Sequence, residues 1–192
     1  PLALTVSAHL PPTRMPELPE VETIKRDLER KIVGHTIEKA EVLWEREIGF
    51  PSVAEFLEFI GDRRIESLDR RAKYLVIHLG EGATLLVHLK MTGQLLYVPA
   101  TDPPHKHARV VFHLDRGMDL RFVDIRKFGR VYLLETDKLA DFAKVAPLGP
   151  EPLSEGFTVE ALKGLIKRRT GRMKPLLMNQ EFVAGLGNIC VD

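Results

Sequence analysis

With 192 residues, 44% of them apolar, the chain can bury the core of one large domain, or of one domain and part of another. A single cysteine excludes an intramolecular disulfide framework and favours a reducing compartment. No apolar run approaches the ~20 residues of a membrane span, and the opening PLALTVSAHLPPTR lacks the basic region that precedes the apolar stretch of a signal peptide.

Met15–Pro16–Glu17 reads like a translation start, which makes residues 1–14 an extension or a mis-assigned start. From Pro16 the period is helical. Val21, Ile24, Leu28 and Ile32 fall on one face, acids crowd the beginning where the helix dipole favours them, and Gly34 suits the stop. A strand around Thr36–Leu43 follows. Ser52 with Glu55 three residues on forms a capping box for a second, short helix that Gly61 ends. The pattern then changes to strands. RIESLDRRAKYLVIHLG and ATLLVHLKMTGQLLYV flank Glu81–Gly82, ARVVFHL and MDLRFVDI flank Asp115–Arg116–Gly117, and GRVYLLE comes next. Strands joined by short turns after a helix predict an α+β fold, an antiparallel β-sandwich with flanking helices.

A Pro- and Gly-rich stretch, APLGPEPLSEGFT, interrupts this pattern and reads as a linker over residues 147–157. Thr158 can cap a helix reaching Arg169, with Val159, Leu162, Leu165 and Ile166 as its apolar face. A further helix is expected from Pro175 to about Val183. The Gly-punctuated AGLGN then leads toward another helix that the remaining residues scarcely accommodate. The formal charge of +1 hides one asymmetry: KGLIKRRTGRMK, from Lys163 to Lys174, holds six cations and no acid. Such a block suits a polyanion or a solvated helix face.

Six stretches occur in a fixed order: MPELPEVET at Met15–Thr23, RRAKYL at Arg70–Leu75, HLKMTG at His88–Gly93, DIRKFG at Asp124–Gly129, LGPEPL at Leu148–Leu153 and AGLGNI at Ala184–Ile189. In them the chain resembles the formamidopyrimidine-DNA glycosylases, which remove oxidised purines from DNA and cleave the strand. The resemblance implies a catalytic β-sandwich over residues 15–146 and, over residues 158–192, the start of a helix-two-turn-helix DNA-binding domain. The PELPEVET opening favours this branch over the endonuclease VIII relatives that act on oxidised pyrimidines. Double-stranded DNA with oxidised bases is the implied partner, and a monomer in a bacterial cytoplasm the implied setting.

The chemistry of the opening can be argued from its residues. An α-amino group, with a pKa of about 7.7–8, supplies a neutral nucleophile near neutral pH, which a lysine does not. Proline's amine is secondary, so its adduct with a sugar aldehyde carbon is a cationic iminium, an electron sink that allows the phosphates to be eliminated. Glu17 is placed to move protons to the departing base or ring oxygen. The pair Pro16–Glu17 also suits the first turn of any helix. Lys73, in a strand-like run, is either an outward-facing residue or a cation aimed into a site, and the resemblance implies the second.

A base inside a duplex must be flipped out before it is attacked, at a cost of about a few kcal/mol, and inserted apolar side chains fill the void. The resemblance gives this wedge role to Met91 and Phe128, with Arg126 bonding the orphaned partner base. As apolar residues, Met91 and Phe128 equally suit a core. Phosphate contacts are expected from Lys174, Asn188 and His88. His105-x-His107 reads as a surface turn and not a metal site, and Asp124 as a residue that orders the wedge loop.

Three departures qualify the resemblance. The family's four-cysteine zinc finger has no counterpart here, so no metal or other cofactor is expected in this chain. Half of the helix-two-turn-helix element is also missing, as in a truncated product. Cys190 stands where the family usually carries tyrosine. If residues 1–14 are retained, Pro16 is an amide, and the expected activity reduces to non-catalytic binding of a lesion or abasic site.

Overall fold

The computed structural model describes residues 15–167 and 169–192. Helix α1 (Leu18–Ile32) begins with a capping interaction in which the Glu17 N–H donates to Glu20 Oε2 at 3.1 Å. It buries Leu18, Val21, Ile24, Leu28 and Ile32, the face its 3.6-residue period dictates. Helix α2 (Val53–Ile60) starts from the Ser52–Glu55 capping box and buries Phe56 and Ile60. The Phe56 ring meets Phe112 edge-on at 6.3 Å.

Nine strands form one continuous sheet: β1 (Thr36–Val42), β2 (Ile48–Phe50), β3 (Arg63–Arg71), β4 (Tyr74–Leu79), β5 (Ala83–His88), β6 (Gly93–Pro99), β7 (Ala108–Leu114), β8 (Met118–Asp124) and β9 (Arg130–Glu135). Their spatial order is β2-β9-β5-β4-β3-β1-β7-β8-β6. The halves join only where Thr36 and Ile37 of β1 meet Arg64 and Arg63 of β3, and both contribute to one core. Ile65, Leu75, Ile77, Leu85 and Val87 from one half pack with Val110, Phe112, Leu120 and Phe122 from the other. This is the expected sandwich with one addition: β2 pairs parallel to β9, so the sheet is mixed. In β3 the buried residues Ile65 and Leu68 lie three apart because a register shift falls between Ile65 and Ser67.

Strand β5 is buried along its whole length. On its outer side Val76, Leu86 and Tyr132 are covered by Leu139, Phe142 and Val145. Beyond this cover come α3 (Val159–Ile166), α4 (Met173–Met178) and α5 (Asn188–Val191). Three helix bounds differ from expectation, one of them the start of α4 at Met173 ahead of Pro175. Helix α3 stops at Ile166, short of Arg169, and Thr158 caps it by accepting from the Ala161 N–H. Helix α4 ends at Met178 because the Asn179 side chain accepts from the Glu181 N–H, which turns the chain. Phe182 and Val183, expected at the end of that helix, are instead buried with Ala184 in the turn that follows.

The segment read as a linker is bolted to its surroundings. Glu151 accepts from the Arg70 and Arg71 guanidiniums at 2.7 and 2.9 Å, and from the Ala72 N–H. Arg71 also donates to the Leu148 carbonyl, and Gly149 and Ala184 close backbone bonds between this segment and residues 180–184. Among the described residues, no helix is long and apolar enough to cross a membrane. The expectations on residues 1–14 and Arg168 lie outside the described residues.

Candidate active site

The sheet register brings three turns to one end of the sandwich. Arg71, Tyr74, His88 and Arg130 form a row across β3, β4, β5 and β9, and Gly93 pairs with Asp124 across β6 and β8. The β3–β4, β5–β6 and β8–β9 turns therefore leave the sheet on the same side. Lys73 lies in the first of them and not in a strand. Ala72 takes a positive φ of 53°, so the loop is only two residues long, and its N–H is held by Glu151. Arg70 in turn bonds Glu22 of α1 at 3.0 Å, so helix, turn and linker are tied through one guanidinium. Glu22, Arg70, Arg71 and Glu151 are positioning residues that sequence reasoning missed. Their signal was present in RRAKYL and LGPEPL as paired arginines and a lone acid.

Pro16 is buried immediately ahead of α1, and Glu17 is 4% exposed. The Glu17 carboxylate accepts the N–H groups of Ile189 at 2.9 Å and Cys190 at 3.0 Å, at the start of α5. Burial pushes its carboxyl up, but the Cys190 thiol, those N–H groups and Lys73 outweigh it, and the net is below the usual carboxylate range. Glu17 is therefore ionised at rest. Cys190 is the complement: burial and Glu17 push its thiol up to about 11, so it stays protonated. Gly187 makes the approach possible, because a Cβ there would come within 2.4 Å of the Glu17 carboxyl carbon. Thus the Ile189 and Cys190 N–H groups at the start of α5 are occupied by Glu17 and are not open to a second anion.

Lys73 is half-buried. Burial lowers its ammonium's pKa, and Lys90 adds to that; Glu17, Cys190 and Glu20 act in opposition. Lys73 and Glu17 therefore face each other as opposite charges across the entrance to α1.

The other two turns carry the predicted wedge residues. Met91 is half-buried in the 89–92 turn, while Arg126 and Phe128 are exposed in the 125–129 turn. Asp124, fully buried, binds the turns together. Its carboxylate accepts from the Thr92 hydroxyl, from the Arg126 N–H at 3.1 Å and from the Gly129 N–H at 2.7 Å. That is the ordering role expected of Asp124. The Arg126 guanidinium lies 4.9 Å from the Phe128 ring centre, and the Lys127 ammonium 4.0 Å from that of Trp44.

His88 is placed differently from an exposed phosphate ligand. It is buried beneath the turns, meets Tyr74 edge-on at 4.5 Å, and accepts the Lys90 N–H through Nδ1 at 3.0 Å. Burial, Lys90 and Lys73 push its pKa down to about 3, so its imidazole is neutral. It shapes the 89–92 turn and offers only Nε2–H. Lys174 and Asn188, both exposed, come together: each donates to the Asp192 carboxylate, Asn188 at 3.2 Å. The cations Lys163, Lys167, Arg169 and Arg172 are exposed nearby in sequence.

No group of three or more metal-ligating side chains forms among the described residues, and Cys190 is the chain's one cysteine, so a four-cysteine zinc site does not fit them. His107 donates its N–H to His105 Nδ1, a local turn contact.

Residues 15–131 match the formamidopyrimidine-DNA glycosylase N-terminal domain, and residues 148–192 match the formamidopyrimidine-DNA glycosylase H2TH domain. A formamidopyrimidine-DNA glycosylase of Pelotomaculum thermopropionicum is 51% identical over 178 residues, which is 93% of this chain and 64% of that relative. The chain thus spans just under two thirds of that curated relative's length. Among solved structures, a Lactococcus lactis FPG mutant in complex with Fapy-dG containing DNA superposes with a TM-score of 0.85 at 34% identity, over 92% of this chain and 64% of that one. The same organism's formamidopyrimidine-DNA glycosylase, non-covalently bound to DNA containing an AP site, gives 0.83 at 34% identity, over 90% and 66%. The chain belongs to the formamidopyrimidine-DNA glycosylase family.

Proposed function

We propose that the protein excises oxidised purines, such as 8-oxoguanine and formamidopyrimidines, from duplex DNA and cleaves the resulting abasic site. The observation that carries this reading is the buried, ionised Glu17 directly after Pro16, opposite the partly desolvated Lys73. Once Met15 is removed, Pro16 presents a secondary amine at this point. Its lone pair attacks the sugar C1′, the bond from C1′ to the base breaks, and the base leaves with that electron pair and takes up a proton. Ring opening then gives the iminium. Loss of a C2′ proton expels the 3′ phosphate, and a second elimination expels the 5′ phosphate. Glu17, charged at rest, begins as the proton acceptor and returns its proton to the sugar oxygen or the base. Lys73 supplies positive charge where the anionic oxygens gather.

Met91, Phe128 and Arg126 are assigned to filling the vacated stack and pairing the orphaned base. The anchorage of their two turns on Asp124, through Thr92, Arg126 and Gly129, supports this, since a wedge must be rigid to hold bases apart. Lys174 and Asn188 are assigned to a backbone phosphate, supported by their convergence on one carboxylate, and His88 to a supporting contact through Nε2–H. We take residues 15–146 as the catalytic unit, 147–157 as its clamp, and 158–192 as part of the DNA-binding unit. The exposed cations of 163–174 add a salt-dependent, sequence-independent contribution.

With Met15 in place the Pro16 nitrogen is an amide without nucleophilic character, and the second reading, non-covalent recognition of a lesion or abasic site, applies to that form. Borohydride trapping separates the two. An abasic-site duplex is incubated with the 192-residue chain and with protein begun at Met15 and processed to Pro16. A covalent adduct mapped to Pro16 is expected from the processed form alone. Its absence there removes the iminium mechanism, and an adduct at Pro16 in the uncut chain removes the requirement for a free amine.

A further inference from the structure

Among the described residues, Glu47 alone of the acids is buried with neither carboxyl oxygen accepting a hydrogen bond. It closes the short 3-10 turn Glu45–Glu47 ahead of β2 and reaches the underside of the 125–129 turn. Gly129 leaves just enough room, because a Cβ there would sit 2.6 Å from Glu47 Oε1 and 2.5 Å from the Phe122 ring. Three charged groups face Glu47: Asp124 from β8, Arg109 from β7 and Arg130 from β9. Neither arginine gives it a hydrogen bond. Arg109 Nε donates to the Asp124 carbonyl at 2.7 Å, and Arg130 Nη1 donates to the Gly129 carbonyl at 2.6 Å. Asp124 already accepts Thr92, Arg126 and Gly129. Two carboxyl groups thus meet in a dry site, one rich in donors and the other without any. Such a pair favours a proton on Glu47, from which it can donate to Asp124.

We propose that Glu47 is a positioning residue for the DNA-facing tips: the proton it shares with Asp124 holds the 89–92 and 125–129 turns in one arrangement. This rests on the assignment of Met91, Arg126 and Phe128 to DNA. Removing the proton would place two negative charges together away from water. The available relief is to swing Asp124 out, which releases the Arg126 and Gly129 N–H groups and the Thr92 hydroxyl at the same time. Burial and the neighbouring Asp124 push the Glu47 carboxyl up to about 8, so release falls in mildly alkaline solution. A glutamine at this position would donate an amide N–H to Asp124 and would not titrate.

Trp44, the chain's one tryptophan, reports on this region directly, since Lys127 of the moving turn lies 4.0 Å over its ring. The 192-residue protein and its Glu47→Gln variant are titrated from mildly acidic to alkaline pH. Trp44 emission is followed, with circular dichroism checking that both remain folded. The expected result is a step near pH 8 in the parent protein, absent from Glu47→Gln, whose emission stays at the acid-side value. In a second arm, affinity for a duplex carrying a tetrahydrofuran abasic analogue is followed across the same range. The parent should lose on the order of tenfold through the step, the equivalent of one or two lost hydrogen bonds, and the variant should lose none. A step that survives in Glu47→Gln, or no step in the parent, overturns the inference. The emission arm needs no DNA, so a Trp44 step with unchanged affinity overturns the positioning role while leaving the shared proton intact. Failure to bind the duplex at any pH overturns the functional assignment itself.

Discussion

Glu17 and Glu47 are the same residue type, shielded from water almost equally, at 4% and 0% exposure. Their environments leave them in opposite states. At the junction of α1 and α5, two backbone N–H groups, a thiol and a lysine keep Glu17 charged. Beneath the 125–129 turn, a second carboxyl and the lack of any donor keep Glu47 neutral. Burial raises the pKa of both; at Glu17 the donors and Lys73 outweigh it, whereas at Glu47, which has no donors, Asp124 adds to it. The fold places the charged one beside the proposed nucleophile and the neutral one against Asp124, where we assign it to holding the loop above it.

The strongest way to break this contrast is to remove the titration at Glu47. Unfolded, this residue releases its proton near pH 4.5; folded, near pH 8. Between those values the unfolded state binds fewer protons, so the parent protein loses stability as pH rises. Glu47→Gln should therefore gain stability progressively across that window, towards a ceiling of about 5 kcal/mol, read from urea unfolding at several pH values. Gly187→Ala should act next most strongly and in the other direction. Gly187 has extended backbone angles, φ −140° and ψ −163°, which alanine also adopts. Only the 2.4 Å contact with the Glu17 carboxyl is at stake, and overpacking there should cost about 3 kcal/mol in thermal or urea unfolding.

Glu17→Gln should cost about 2 kcal/mol near neutral pH by weakening two charge-assisted bonds. Because the Glu17 carboxyl is depressed in the folded state, that contribution exists above its unfolded value of 4.5 and fades as pH falls through the folded value. The difference between variant and parent should therefore shrink in acid. Cys190→Ala should change stability by less than about 1 kcal/mol, yet raise the Glu17 titration midpoint measured by carbon NMR, since one of its donors is gone. A midpoint that does not move would assign the whole effect to the α5 backbone and Lys73.

Much of the fold was readable in advance because its signals are local. The α1 stripe, the Ser52–Glu55 box and the turn residues at Glu81–Gly82 each act within a few residues. What escaped depends on contacts across the chain. Ala72 adopts a positive φ without the glycine or asparagine that usually announces it, because Glu151 holds its N–H from 79 residues away. The loss of the end of α4 was hidden by an ordinary apolar pair, Phe182–Val183, that suits a buried turn as well as a helix. Strand β2 is three residues long and carries no period at all. In the site, the chemistry of the opening pointed to Pro16 and Glu17, and the family resemblance to Lys73 and the tip residues. Neither gave a hint of Glu47, whose importance arises only from which side chains surround it.

The seat of Glu17 has a consequence for how the protein is made. Its two backbone donors lie 172 and 173 positions further along the chain. Closing a loop of that length is entropically costly and slow relative to local helix formation. During synthesis the residues around Pro16 emerge well before residues 187–190, and α1 can form at once, but the carboxylate lacks the Ile189 and Cys190 N–H donors until those residues have folded against it. Glu17 is thus fully seated only after residues 187–190 have been made, a built-in delay between making the proposed nucleophile and giving it a working neighbour.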